Sequence, residues 1–136
     1  MISYIEKKPS LAEFKKLRDS VSWSLERFSD ERIRNSLDTS PFCVCAYKEN
    51  TLVGMVRISG DKGMYGYIQD TIVLPEYQRQ GIGKEMMAKL LENIKDKPGY
   101  LLGVCPSKTS VEFYERFGFK NRPEKPNGFL FKEISK

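Results

Sequence analysis

From Val73 to Lys84 the chain reads Val-Leu-Pro-Glu-Tyr-Gln-Arg-Gln-Gly-Ile-Gly-Lys. An apolar run is stopped by Pro75, and a polar loop follows whose glycines open a long amphipathic segment. The start of a helix leaves backbone N–H groups without intrahelical acceptors and carries the positive end of the macrodipole, so an anion can dock there. Gly81 and Gly83 remove the side chains that would hold a phosphate away from those groups. The same two glycines also suit a plain strand-to-helix turn. Arg79 and Lys84 either add charge to the cradle or form a solvated helix start.

Asp70 stands in an otherwise apolar run, Tyr65 to Leu74, where a carboxylate must be paired or face a cleft. Gln69 beside it is either a cleft group or a satisfied sheet residue. Histidine is absent, and the three cysteines, Cys43, Cys45 and Cys105, are too few and too scattered for a zinc site. Their apolar neighbours indicate reduced core thiols in a cytoplasmic protein, with no metal.

The formal charge of +5 arises from basic residues interspersed with acidic ones, without the aromatic interleaving of a base-stacking surface, so an anionic small ligand accounts for it better than nucleic acid does. No run approaches the ~18 apolar residues of a membrane span, and the N-terminus lacks the pattern of a secretory signal. Length and an apolar fraction of 40% fit one domain over residues 1–136.

The elements that must position these residues alternate without a linker or repeat. Met1 to Glu6 reads as a strand. Ser10 caps a helix to about Asp19, with Leu11, Phe14 and Leu17 on one face, and Ser29 or Asp30 opens a second helix ending near Leu37. Phe42 to Tyr47 and Leu52 to Ser59 form a hairpin around Lys48-Glu49-Asn50-Thr51, and Gly60-Asp61-Lys62-Gly63 turns the chain into Tyr65 to Leu74. Ile82, Met86, Met87, Leu90, Leu91 and Ile94 mark the buried face of the helix that follows the glycines. Tyr100 to Cys105 is a nearly continuous apolar run, suited to a buried strand parallel to the one before the loop. Thr109 with Glu112 fits a capping box for a helix to about Arg116. Pro123 to Asn127 reads as a loop and Gly128 to Ile134 as the last strand.

Gln78-x-x-Gly81-x-Gly83 after a Val-Leu-Pro-Glu strand end resembles the acetyl-coenzyme A signature of the GNAT N-acetyltransferase superfamily. The segment Phe113-Tyr114-Glu115-Arg116-Phe117-Gly118-Phe119 resembles that superfamily's second signature, and the two stand in the right order with a helix and a strand between them. The resemblance covers almost the whole chain. It implies an α/β fold with a mixed sheet, antiparallel in its first half, a central parallel pair splayed at a bulge, and helices on both faces.

The resemblance also implies roles. The coenzyme would lie along Thr71, Ile72 and Val73, with the backbone groups of Thr71 and Val73 facing its pantetheine arm. The N–H groups of the segment Gln78, Arg79, Gln80, Gly81, Ile82, Gly83 and Lys84 would hold the pyrophosphate. Tyr114 occupies the position of a general acid toward the coenzyme sulfur, a sensible match of a phenol of pKa about 10 to a thiol of about 8.5. The oxyanion donor would be the Val73 N–H. Many family members carry asparagine seven residues before the tyrosine. This chain has Ser107, whose shorter side chain can still donate a hydrogen bond.

A base is less defined: Asp70, Glu112, or none. Trp23 and Phe28, with Tyr65, Tyr67 and Phe129, would line an apolar acceptor site. Acetyl transfer from acetyl-CoA to a small-molecule amine is the implied activity, by direct attack and without a covalent enzyme intermediate, and a homodimer is compatible with it. A non-catalytic coenzyme A sensor and a protein or peptide acetyltransferase are the alternatives on the same fold.

Overall fold

The computed structural model describes residues 1–107, 109–121 and 130–135. The chain runs β1 (Ile2–Glu6), α1 (Leu11–Ser20), α2 (Asp30–Asp38), β2 (Phe42–Lys48), β3 (Thr51–Gly60), β4 (Tyr65–Val73), a 3₁₀ turn (Pro75–Tyr77), α3 (Ile82–Glu92), β5 (Leu101–Val104), α4 (Val111–Glu115) and β6 (Leu130–Glu133). The six strands form one sheet in chain order. Every neighbouring pair is antiparallel except β4 and β5, which run parallel because α3 carries the chain back across the sheet.

Local chemistry explains the first helices. Ser10 and Glu13 close a reciprocal capping box, with Glu13 N–H donating to Ser10 Oγ at 3.1 Å and Ser10 N–H donating to Glu13 Oε1 at 2.9 Å. Ser29 caps α2 by accepting from Arg32 N–H at 3.2 Å. The capping box expected at Thr109 does not form. Ser110 holds the N-cap position of α4 and gives no side-chain cap. The reason is a turn closed by Ser110 N–H on Ser107 O at 3.0 Å, which aims the hydroxyls of Ser107, Thr109 and Ser110 at one another.

The register shows how the sheet opens. Met55 pairs with Ile72 and Arg57 with Gln69, so two residues of β4, Asp70 and Thr71, oppose the single residue Val56. This bulge places Asp70 at φ +52°, a left-handed conformation that aspartate tolerates better than most residues. β4 meets β5 only from Tyr65/Leu101 to Tyr67/Gly103, and beyond that point no pairing joins them. The mixed sheet with its splayed central parallel pair is therefore present as the sequence suggested.

Alternation along β3 assigns the two faces. A side-chain carbon at Gly54 would lie 3.1 Å from Met86, which puts α3 on that face, while Arg57, of opposite parity, reaches the ring of Phe14 in α1 at 5.9 Å. The core between sheet and helices includes Phe14, Leu17, Val53, Met55, Val56, Ile58, Met86, Leu90 and Leu102. Cys43 and Cys45 are buried and unbridged, but Cys105, expected in the core, is exposed where β5 ends and the chain turns outward. Phe129, the loop Pro123 to Asn127 and the start of the last strand at Gly128 lie outside the described residues.

Candidate active site

The gap between β4 and β5 opens into a cleft of about 700 Å³. β4 contributes Tyr67, Gln69, Asp70, Thr71 and Val73 to its wall, and the loop before α3 contributes Gln78, Arg79 and Gly83. The turn after β5 adds Cys105 and Ser107, α4 adds Phe113 and Tyr114, and Arg18 and Trp23 close the far end. One space thus gathers Trp23, Tyr67, Asp70, Thr71, Val73, Gln78, Arg79, Gly83, Ser107 and Tyr114 from segments far apart in the chain. Ile72 and Ile82 point instead into the core. Gln80, Gly81 and Lys84 sit at the start of α3 without lining the cleft.

The backbone along the opening is oriented by its neighbours. Leu74 N–H donates to Val53 O at 2.8 Å, so the groups of Leu74 face β3 and those of Val73, one residue earlier, face the gap. Val73 O already accepts from Gln78 Nε2 at 2.9 Å, a bond that ties the loop to the strand end. Thr71 Oγ1 is buried, and the polar group it acts on is the Tyr114 hydroxyl.

Gly81 is the N-cap of α3 at φ +84°, with open space where a side chain would stand. Gly83 follows in helical conformation, and a carbon there would make ordinary contact with Phe113 at 3.7 Å and Val73 at 3.9 Å. Arg79 is also left-handed, at φ +65°. The loop ends in a helix start beside the cleft, where the first N–H groups of α3 have no intrahelical acceptor, a geometry that admits an anion.

Tyr114 is 6% exposed and packs edge-on against Phe113 and Phe119, with ring centroids 5.1 and 5.8 Å away. Burial raises its phenol above the ordinary value, the Thr71 side chain pulls it down, and Tyr67 pushes it up. The net upward shift keeps the phenol protonated over the physiological range. Burial raises Tyr67 likewise, and the neighbouring Cys105 acts in both directions through its thiol and its backbone.

Asp70 is held in a buried ion-pair frame. Its Oδ1 accepts from Arg18 Nη1 at 2.5 Å and its Oδ2 from Arg57 Nε at 2.7 Å. Arg57 also donates from Nη1 to Ser40 Oγ at 2.7 Å and to Ser36 O at 3.1 Å. Arg18 donates from Nε to Trp23 O at 3.0 Å and lies 5.7 Å from that indole ring. Both oxygens of Asp70 are thus engaged by guanidinium groups.

Phe28 is separated from the main cleft. It lines an adjoining cavity of about 330 Å³ together with Arg18, Arg27, Arg32, Arg57 and Gln69, and Arg18 and Gln69 border both spaces. The expected apolar acceptor wall is therefore partly guanidinium. Arg18 and Arg57 were not singled out in the sequence, although a lone arginine in the apolar run Leu52 to Ser59 is itself a signal of a buried partner.

Residues 13–131 match the family model described as Acetyltransferase (GNAT) domain. A GNAT family acetyltransferase of Streptococcus pneumoniae is 31% identical with a TM-score of 0.75, covering 88% of each chain. A Staphylococcus aureus protein of unknown function, described as a probable acetyltransferase, is 26% identical with a TM-score of 0.81 over 94% of this chain and 96% of that one. The uncharacterized N-acetyltransferase ycf52-like of Prochlorococcus marinus is 30% identical over 118 residues, which are 84% of this chain and 64% of that protein. A family model spanning most of the chain, on a sheet that splays beside a glycine-opened helix, leaves one assignment: the chain belongs to the GNAT family of acetyl-CoA-dependent N-acetyltransferases.

Proposed function

We propose that the cleft binds acetyl-CoA along β4 and transfers its acetyl group to the primary amine of a small molecule, by direct attack within a ternary complex. The observation that carries this reading is the splay: pairing between β4 and β5 ends at Tyr67/Gly103, and the gap beyond it runs from a glycine-opened helix start to Tyr114. The pantetheine amides would find Thr71 and Val73, and the pyrophosphate the N–H groups from Arg79 to Lys84, since Gln78 N–H already donates to Pro75 O at 3.3 Å. Ser107 would add a short polar contact. In this reading acetyl-CoA supplies the activated acyl group, and the protein supplies position, an oxyanion donor in Val73 N–H, and an acid in Tyr114.

A protonated, buried phenol suits the task of giving a proton to a departing thiolate, and removing such a donor typically costs about 10²–10⁴-fold in rate. Asp70 does not enter as a base, because both its oxygens are engaged. The amine would then lose its proton to water or reach the site neutral. Trp23 and Tyr67 border the acceptor end of the cleft. Unbridged Cys43 and Cys45 suit a reducing compartment such as the cytoplasm. Among the described residues no helix is long and apolar enough to cross a membrane, and no cluster of metal-ligating side chains occurs.

Calorimetry with acetyl-CoA tests the cradle. Gly83 is helical and its neighbours tolerate a side chain, so Gly83→Glu should fold and yet abolish binding by placing a carboxylate where the pyrophosphate docks. Gly81→Glu should do the same at an added strain of about 1–2 kcal/mol from its left-handed backbone. Wild-type affinity in a folded Gly83→Glu variant would remove the phosphate site from this loop.

A further inference from the structure

Behind Arg18 and Gln69, next to the acceptor end of the cleft, the second cavity carries four guanidinium groups, those of Arg18, Arg27, Arg32 and Arg57. One carboxylate, Asp70, offsets them, and it is shared by Arg18 and Arg57. Arg27 and Arg32 make no ion pair or side-chain hydrogen bond among the described residues, and both are held over the ring of Phe28, at 4.6 and 5.1 Å from its centroid. The acidic neighbours do not close the site. Asp30 pairs with Lys15 at 2.5 Å, and neither Glu26 nor Glu31 lines the cavity.

Stacking on one aromatic ring keeps two long side chains from collapsing onto other partners and leaves their N–H edges available. Like charges gathered around a concave space also raise the local positive potential, which favours a ligand of opposite sign. Resting on the reading of the main cleft as the transfer site, we propose that this cavity is an anion subsite, and that the acceptor is an amine carrying an oxyanion, either a carboxylate or a phosphate. The guanidinium forks of Arg27 and Arg32 bind the oxyanion, and the amine end passes Arg18 and Gln69 toward Tyr114.

Trp23 is the only tryptophan and stands 5.7 Å from the Arg18 guanidinium, so its fluorescence reports on occupancy next door. The protein is first saturated with coenzyme A to fill the phosphate cradle, and is then titrated at constant ionic strength with inorganic phosphate or with acetate. A saturable change with phosphate, acetate or both is expected, and the stronger of the two identifies the oxyanion. The variant Arg27→Ala/Arg32→Ala, which alters two exposed residues, should weaken it at least ten-fold, while Arg27→Lys/Arg32→Lys should retain part of it. No saturable change, or equal affinity in the alanine variant, overturns the subsite.

Acetyl-CoA binding measured by calorimetry on the same proteins keeps the two readings apart. If acetyl-CoA binds and the anions do not, only the subsite fails. If anions bind through Arg27 and Arg32 and acetyl-CoA does not, only the cleft reading fails. Thiol release with 3-aminopropyl phosphate against propylamine, and with 4-aminobutyrate against butylamine, then gives the preference as a rate ratio. A neutral amine preferred over both anionic ones would also overturn the proposal.

Discussion

Replacing Asp70 with alanine should cost more stability than any single change at an exposed position. The substitution leaves Arg57 buried without its counter-ion and strips Arg18 of its 2.5 Å bond. Breaking a buried pair by removing one partner costs about 3–5 kcal/mol, because the remaining charge is stranded. Alanine at φ +52° adds about 1–2 kcal/mol of backbone strain. The total, roughly 4–7 kcal/mol, is a large part of a typical domain's stability. An unfolding entropy of about 2.1 cal/mol/K per residue converts it to a fall in Tm of roughly 14–25 °C for this chain.

Asp70→Asn should lose less, since asparagine also tolerates the left-handed region and keeps one oxygen for one arginine. Thermal unfolding by circular dichroism reads both variants, and calorimetry with acetyl-CoA reads the consequence for the bulge that opens β4. A Tm for Asp70→Ala within about 3 °C of wild type would refute the ion-pair frame. A wild-type Tm in Asp70→Asn with intact coenzyme affinity and a collapsed single-turnover rate would instead make Asp70 the base.

Tyr114→Phe should keep acetyl-CoA affinity while single-turnover transfer falls by about 10²–10⁴-fold, since the packed ring stays and only the proton donor goes. An unchanged rate would leave Tyr114 as a packing residue. Tyr100, whose phenol donates to Asp61 O at 2.7 Å and Tyr65 O at 3.1 Å, is pushed up to about 12 by burial and then by Asp61. A raised folded-state value means that its contribution is complete below pH 10 and is lost as pH rises from 10 toward 12. Urea unfolding over that window should therefore show a decline in stability that Tyr100→Phe flattens, and equal slopes in the two proteins would contradict the linkage. Serine or alanine at Cys43, Cys45 and Cys105 together should cost stability at the two buried positions and leave acetyl transfer measurable. Mass-spectrometric capture of an acetylated cysteine during turnover would point to a ping-pong route instead.

Much of this molecule is set by short-range chemistry that a reader of the sequence can weigh. Ser10 announces α1, Pro75 and the glycines mark the change from strand to helix, and the apolar run after Gly99 marks a buried strand. Each depends on residues a few positions apart, so the pattern and its physical cause lie together in the chain. The cap at Thr109 went otherwise because three neighbouring hydroxyls found one another in the turn, a competition that the residue types alone do not rank. Cys105 followed the chain outward at the end of β5, where apolar neighbours in sequence are not neighbours in space.

The candidate site divides the same way. The glycine loop was legible because a left-handed residue and a helix start dictate its residue types, whereas Tyr114 stood out through the resemblance of its segment to a family signature. The partners of Asp70 were not, since Arg18 lies 52 residues away and Arg57 13 residues away in the chain. Only the pairing of β3 with β4 and the docking of α1 bring the three charges together. The cavity of arginines around Phe28 is likewise a product of packing: α1, the loop after it, α2 and the sheet each supply part of its wall. Charge spread evenly along a sequence says nothing about where it concentrates, because Coulomb interactions depend on distances in space that only the folded sheet and its helices define.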